Sequence, residues 1–227
     1  MLIQKLLPPI VQQMKVGVDN IRTNDPVLSE YARLAACYDS RWSRYVDATV
    51  RETLDRLNPR SGDKLLDVGC GTGALLHAVS SSYPQAKLAG VDLSPEMIEI
   101  ARVKLGPTVV LECSQAERLP FPNETFDILV STSVLHFLRR PHEVLCEARR
   151  VLKPGGKIVV TDWCHDYLAC RLCDGFLRLF DRAHFRTYTG EDCKRLLIDS
   201  AFDSVGVDRY KISWIWGLMT AIGRKSA

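Results

Sequence analysis

Five short apolar runs, Lys64 to Val68, Lys87 to Val91, Val109 to Cys113, Phe126 to Ser131 and Lys157 to Thr161, recur through the middle of the chain with helical patterns between them. The helices begin near Thr72, Pro95 and Pro141. Strands that alternate with helices of this length pair in parallel through crossovers, so the pattern predicts βαβ units in one twisted sheet. Ahead of them, Ser29 to about Leu57 reads as helix, with apolar residues at Tyr31, Leu34, Ala35, Tyr38, Trp42, Tyr45 and Val46, until Asn58 and Pro59 stop it. Behind them, Asp166 to Arg182 reads as helix with Leu168, Leu172, Phe176 and Phe180 four apart, and Gly190 and Glu191 open another. Ser204 to Arg209 and Trp214 to Ile222 look like two strands that extend the sheet as an antiparallel edge. No repeat or linker divides the chain, so we expect a helical segment over residues 1–60 leading into one α/β domain over 61–227.

Size and charge narrow the class. A domain of 227 residues buries roughly 70 to 75% of its unfolded surface and needs no staple. Its eight cysteines lie mostly in apolar periodic stretches, which suits reduced thiols in a cytoplasmic protein. A net charge of +3 without blocks of like charge gives no reason to expect a nucleic-acid partner. No apolar run reaches the roughly 18 to 20 residues that span a bilayer. The start of the chain, with Leu2, Ile3, Leu6, Leu7, Ile10, Val11 and Met14 at helical spacing broken by Pro8 and Pro9, is expected to pack on its own domain. A mobile lid or a peripheral membrane contact is the alternative.

Ligands of open α/β sheets bind beyond the carboxyl ends of the strands. Those ends carry Asp67 with Gly69, Gly71 and Gly73; then Asp92; then Cys113 with Gln115 to Glu117; then Ser131 to His136; then Asp162, Trp163 and His165. The first, LLDVGCGTG, is a strand running into a glycine turn that opens a helix, and it also satisfies the dinucleotide pattern through Gly69, Gly71 and Ala74. Asp67 decides between ligands: a carboxylate beside a pyrophosphate is unfavourable, whereas an amino or sulfonium cation would be attracted to it. Asp92, 19 residues after Gly73, is placed to accept from both ribose hydroxyls of a nucleoside.

On these residues the sequence resembles the class I S-adenosylmethionine-dependent methyltransferases, most closely the small-molecule branch that includes the ubiquinone and menaquinone C-methyltransferases. LLDVGCGTG looks like the family's first motif, VDLSPEMIEIAR (Val91 to Arg102) its second, AERLPFPNETFDILVSTSVLHF (Ala116 to Phe137) its fourth-strand block and EARRVLKPGGKIVVTDW (Glu147 to Trp163) its fifth. The resemblance implies a three-layer, Rossmann-like fold with a seven-stranded, mostly parallel sheet, an N-terminal helical lid, and S-adenosylmethionine as cofactor. It assigns Asp67, Gly69 and Gly71 to the methionine end, Asp92 to the ribose, and Leu93 and Met97 to the adenine. Cys70, Gly73, Ala116 and Ser131 complete the cofactor-contacting set. Where the family usually has Gly-Asp ahead of A-E-x-L-P, this chain has Ser114 and Gln115, so the adenine amine would meet a Gln115 carbonyl.

Methyl transfer by in-line displacement needs no metal, and needs a base only if the acceptor is protonated. His136 and His165 follow the fourth and fifth strands, and Tyr38 could fold over the methyl group; His184 reads as a pocket or surface residue. Cys164, His165, Cys170 and Cys173 hint at zinc but lack a second ligand pair, so no metal site is expected. Cys70, inside the glycine loop, and Cys113, at a strand end, could make the protein sensitive to thiol oxidation. Residues 163 to 216 carry Trp163, Phe176, Phe180, Phe185, Tyr188, Trp214 and Trp216, most of them expected in the core; any that line a cavity favour an apolar or aromatic acceptor, methylated at oxygen or carbon by a monomer or homodimer. A nucleic-acid methyltransferase and a cofactor-binding regulatory or assembly protein are the competing readings.

Overall fold

The computed structural model describes residue 35 and residues 38–180, 184–214 and 216–226. In chain order these form α1 (Tyr38–Leu57), β1 (Lys64–Val68), α2 (Ala74–Ser82), β2 (Lys87–Asp92), α3 (Pro95–Leu105), β3 (Val110–Cys113), β4 (Phe126–Thr132), a 3-10 turn (Leu135–Phe137), α4 (Pro141–Val151), β5 (Leu152–Trp163), α5 (Leu168–Phe180), α6 (Gly190–Asp199), β6 (Phe202–Lys211) and β7 (Gly217–Lys225). One sheet contains all seven strands in the order β3-β2-β1-β4-β5-β7-β6. The first five pair in parallel, while β7 runs antiparallel to both β5 and β6. This is the expected α/β architecture with its antiparallel edge.

Alternation along the strands builds three layers. Leu66, Leu129 and Ile158 point to one face, where Leu145, Ala148 and Val151 of α4 and Leu197 of α6 cover them. Leu65, Ile128 and Val159 point to the other, under Leu57 of α1, Leu75 and Val79 of α2 and Ile98 of α3. The inner strands β1, β2, β4 and β5 are apolar on both sides because helices cover both faces of the sheet there.

Several boundaries differ from expectation. The first strand-following helix starts at Ala74, because Gly73 is still left-handed at φ 79°. β5 begins five residues early, at Leu152. Trp214 is in a turn and not in a strand: Trp216 N–H donates to Ser213 Oγ at 2.9 Å and Ile212 N–H to the Trp216 carbonyl at 3.0 Å. β7 starts at Gly217, where the Tyr167 ring lies so close that a Cβ would fall 1.9 Å from it. The apolar stretch from Leu2 to Met14 and the start of the first helical pattern lie outside the described residues.

Candidate active site

The strand order reverses at β1, which has β2 on one side and β4 on the other, so the seam between β1 and β4 is the switch point where an open α/β sheet leaves a crevice. The loops that leave these two strands meet there. Gly69, left-handed at φ 77°, packs so tightly on Val134 that a Cβ would fall 2.3 Å from its Cγ2. Gly69 and Cys70 donate their N–H groups to the Val91 carbonyl at 2.7 and 3.0 Å, and Gly71 N–H donates to Asp92 Oδ2 at 2.8 Å. The glycine turn is thus fastened to the end of β2.

Two carboxylates stand at this turn. Asp67 is 1% exposed, and its Oδ1 has no hydrogen-bond partner among the described residues. Burial first, and the charge of Asp92 second, push it up to about 8. Asp92 is better served: Oδ2 accepts from Gly71, and Oδ1 accepts from Ser94 N–H at 2.9 Å. Burial nevertheless raises it above the usual carboxylate range. A buried carboxylate lacking a partner costs free energy unless a cation or donor arrives from outside. The pair therefore disfavours phosphate and favours a ligand with a positive end and hydroxyl donors.

Across the seam, the 3-10 turn after β4 carries His136, which is buried. Asp162, near the end of β5, accepts from His136 N–H at 3.2 Å through Oδ2, and its Oδ1 lies 2.7 Å from His136 Nδ1. With an ionised Asp162 accepting from Nδ1–H, the lone pair is left on Nε2, the tautomer a general base needs. The ring stacks on Trp163 with centroids 5.1 Å apart and planes 20° apart.

An aromatic wall stands beside it. Trp163 Nε1–H donates to the Tyr45 hydroxyl at 2.7 Å, and that hydroxyl exchanges a 2.7 Å bond with Ser133 Oγ. Trp216 lies against both rings, with centroids 4.7 Å from Trp163 and 5.9 Å from Tyr45. Burial and the charge of Asp162 push the Tyr45 hydroxyl above its usual range, so it stays protonated. Ser133 holds φ 57°, a conformation uncommon for residues other than glycine, Asn and Asp. α1 is thereby tied to the ends of β4 and β5. Tyr38 begins the same helix, two turns before Tyr45 and close enough for its charge to bear on the Tyr45 hydroxyl.

The structure regroups the other histidines. His184 Nε2 lies 2.9 Å from Asp174 Oδ1, which also accepts from Thr187 N–H at 2.7 Å, and the His184 ring sits 5.5 Å from that of His136. Burial opposes ionisation of Asp174, but these partners hold its carboxyl below the usual range. His165 Nδ1 pairs with Thr187 Oγ1 at 2.7 Å and lies 4.0 Å from Asp174 Oδ2. His165 therefore belongs to a bracket between α5 and the chain that returns from it. Sequence reasoning missed Tyr45, Ser133, Asp174 and the His184 pairing, since each depends on residues distant in the chain.

The remaining cofactor candidates fall into three groups. Ser114 N–H donates to the Asp92 carbonyl at 3.0 Å, which sets exposed Gln115 and half-buried Ala116 beside β2, with half-buried Leu93 in the same turn. Ser131 Oγ–H is committed to the Val68 carbonyl at 2.8 Å, sealing the β1–β4 seam. Met97 is fully buried. The thiol expectation is corrected for Cys70, which is free and buried; burial and then Asp67 raise its thiol, and a protonated buried thiol is a poor target for oxidation. Cys113 is exposed, though its thiol too is raised, chiefly by desolvation. Among the described residues no group of three or more His, Cys, Asp or Glu side chains is arranged to hold a metal. Trp214 and Phe185, expected in the core, are exposed, whereas Trp163 and Tyr188 are buried.

Comparisons with known proteins bear on the fold and the family. A family model described as a methyltransferase domain matches residues 66–160. The demethylmenaquinone methyltransferase of Tropheryma whipplei is 33% identical over 151 residues, 66% of this chain and 58% of that one. The phosphatidylethanolamine N-methyltransferase of Cereibacter sphaeroides is 34% identical over 143 residues, 61% of this chain and 68% of that one. A solved S-adenosylmethionine-dependent methyltransferase from Thermotoga maritima superposes with a TM-score of 0.73 at 22% identity, covering 88% of this chain and all of that one, and shows the shared fold. The chain spans about half the length of the first curated relatives it matches, from 46% to 58%.

Proposed function

The chain belongs to the S-adenosylmethionine-dependent methyltransferases, and on that premise we propose that it transfers a methyl group from S-adenosylmethionine to a small apolar or aromatic acceptor. The observation that carries this reading is Asp67, a buried carboxylate whose Oδ1 lacks a partner among the described residues at the switch point of the sheet. A cation is the ligand feature that relieves it, and the methionine end of this cofactor has two. Asp67 and the Gly69 to Gly73 turn would hold that end. Asp92 would hold the ribose, because each of its oxygens accepts one backbone N–H and keeps a lone pair for a hydroxyl. Leu93, Gln115 and Ala116 would meet the adenine, with Met97 beneath them.

S-adenosylmethionine supplies a methyl group on a sulfonium whose departure leaves a neutral thioether. The protein's part is position, dryness and a proton. His136 Nε2 takes a proton from an acceptor O–H or acidic C–H, and Asp162 stabilises the imidazolium that forms. The acceptor's electron pair is then free to attack in line. Such a base suits an oxygen or carbon acceptor. Trp163, Tyr45 and Trp216 favour an apolar or aromatic acceptor face, with Tyr38 folding over it from the start of α1. His165, engaged with Thr187, supports this wall and is not assigned the proton. On this reading residues 1–60 contain the cap and residues 163–216 determine the acceptor, in a metal-independent enzyme.

The test is calorimetric titration with S-adenosylmethionine and with NAD, then transfer of label from the methyl-tritiated cofactor into small molecules of a cell extract. Cofactor binding with a labelled apolar product is expected. Binding of NAD alone overturns the proposal, and binding of S-adenosylmethionine without product in any extract favours a regulatory protein.

A further inference from the structure

Helix α5 is apolar on two opposite sides. At about 100° per residue, Cys170, Cys173, Asp174 and Leu177 fall on one side, and all four are buried. Leu168, Leu172 and Leu179 fall within about 60° of one another on the other side. They are 69%, 68% and 79% exposed. The inner side already meets the core, where Cys173 and Leu177 pack with Trp163 and Leu218, so the fold does not account for the outer stripe. Single exposed leucines are ordinary, but a stripe of them is the signature of a contact surface. The turn between β6 and β7 adds Trp214, 75% exposed. That turn adjoins the amino end of α5, because Cys170 Sγ–H donates to the Gly217 carbonyl at 3.3 Å and Lys211 Nζ lies 5.6 Å from the centre of the Tyr167 ring.

Among the described residues, the charges that edge the stripe have one sign. Arg171 and Arg178 flank it along one edge of the helix, and Lys211 stands at its amino end. The helix's one carboxylate, Asp174, is on the inner side, engaged by His184 and Thr187 and ion-paired at 3.7 Å with Arg178, which leaves Arg171 and Lys211 as the cations facing outward. Asp166, just before the helix, is paired with Arg209 at 3.2 Å. An apolar stripe edged by cations, with the nearby carboxylates ion-paired and an exposed tryptophan in the neighbouring turn, complements an anionic lipid surface.

We propose that α5 and the Trp214 turn dock the protein on negatively charged membranes. The leucine stripe enters the headgroup and acyl boundary, Arg171 and Lys211 meet lipid phosphates, and Trp214 anchors at the interface. The inner side of the same helix packs on Trp163, with Tyr45 and Trp216 alongside, so an apolar acceptor held in a bilayer would be one helix diameter from the aromatic wall. That last consequence rests on the methyltransferase reading; the docking surface does not.

Flotation of the full chain with vesicles of phosphatidylcholine alone, and of phosphatidylcholine mixed with phosphatidylglycerol, tests the proposal without any activity assay. Binding to the anionic vesicles is expected, and a Leu168→Gln, Leu172→Gln, Leu179→Gln variant should lose at least about tenfold in partitioning. Arg171→Glu, a single exposed change that leaves the stripe intact, should lose about fivefold or more on anionic vesicles only. All these positions are exposed, so unchanged circular dichroism and S-adenosylmethionine affinity are expected in both variants. No flotation of the wild type, or equal flotation of the triple variant, overturns the proposal. Dissociation of a dimer by the triple variant, seen in sedimentation, with vesicle binding unaltered, overturns it too and makes the stripe an interface between copies.

Discussion

The two halves of the site are built differently. The half around β1 and β2 is made mostly of backbone: Gly69, Cys70 and Gly71 donate N–H groups to Val91 and Asp92, and the one costly feature is Asp67. The half around β4, β5 and α5 is made of side chains that reach across the fold, with His136 on Asp162, Tyr45 on Ser133 and Trp163, and His184 on Asp174. A scaffold of peptide groups can hold a cofactor common to many enzymes, whereas side chains brought from distant segments can vary with the acceptor.

The sharpest way to break this division is at His136, the proposed base. His136→Ala should lower kcat by about 10² to 10⁴ while leaving cofactor affinity unchanged in calorimetry. A parallel loss of cofactor binding would mean that the halves are not separate. On the other side, Asp92→Ala should weaken S-adenosylmethionine by about 1.5 to 3 kcal/mol, the scale of charge-assisted hydrogen bonds; unchanged affinity would place the ribose elsewhere.

Asp67 tests the cost carried by the cofactor half. Its folded pKa of about 8 lies above the ordinary value of 3.8, so its contribution to stability is full below pH 4 and is lost as pH rises through 8. A bound cation favours the ionised form, so cofactor affinity should rise with pH up to about 8 and then level. Asp67→Asn should abolish both trends, raising the melting temperature by several degrees at pH 8 while weakening the cofactor. A melting temperature with the same pH slope as the wild type would remove Asp67 as the strained group. The smallest effect is expected at Tyr45→Phe, which leaves Trp163 Nε1 and Ser133 Oγ without their partner. It should cost about 1 kcal/mol of stability and raise acceptor KM at constant cofactor affinity.

The same division governs what could be read from the chain. The glycine turn, Asp67 and Asp92 were legible because a strand, its turn and the next strand end lie within 26 residues, and each residue type has a local reason to be there. His136 was legible as a candidate, but its partner was not, since Asp162 is 26 residues away and the pairing depends on β5 lying beside β4. For His165 a strand-end position suggested a base, but the Thr187 partner of its Nδ1, 22 residues away, was not legible. On α5 the spacing of four through Leu168, Leu172 and Phe176 is a real helical stripe, yet the buried side is the one with Cys170, Cys173 and Leu177.

The sequence by itself determined the alternation of strands and helices, the parallel sheet with its antiparallel edge, and the polar strand ends that mark the crevice. These follow from hydrophobic period and turn chemistry, which act over a few residues. Only the tertiary structure decided which histidine meets which carboxylate, that Tyr45 locks α1 to Ser133 and Trp163, and which apolar face of α5 is left outward. Those choices depend on which strands lie next to one another and on what the rest of the chain already covers, and periodicity along one element carries neither.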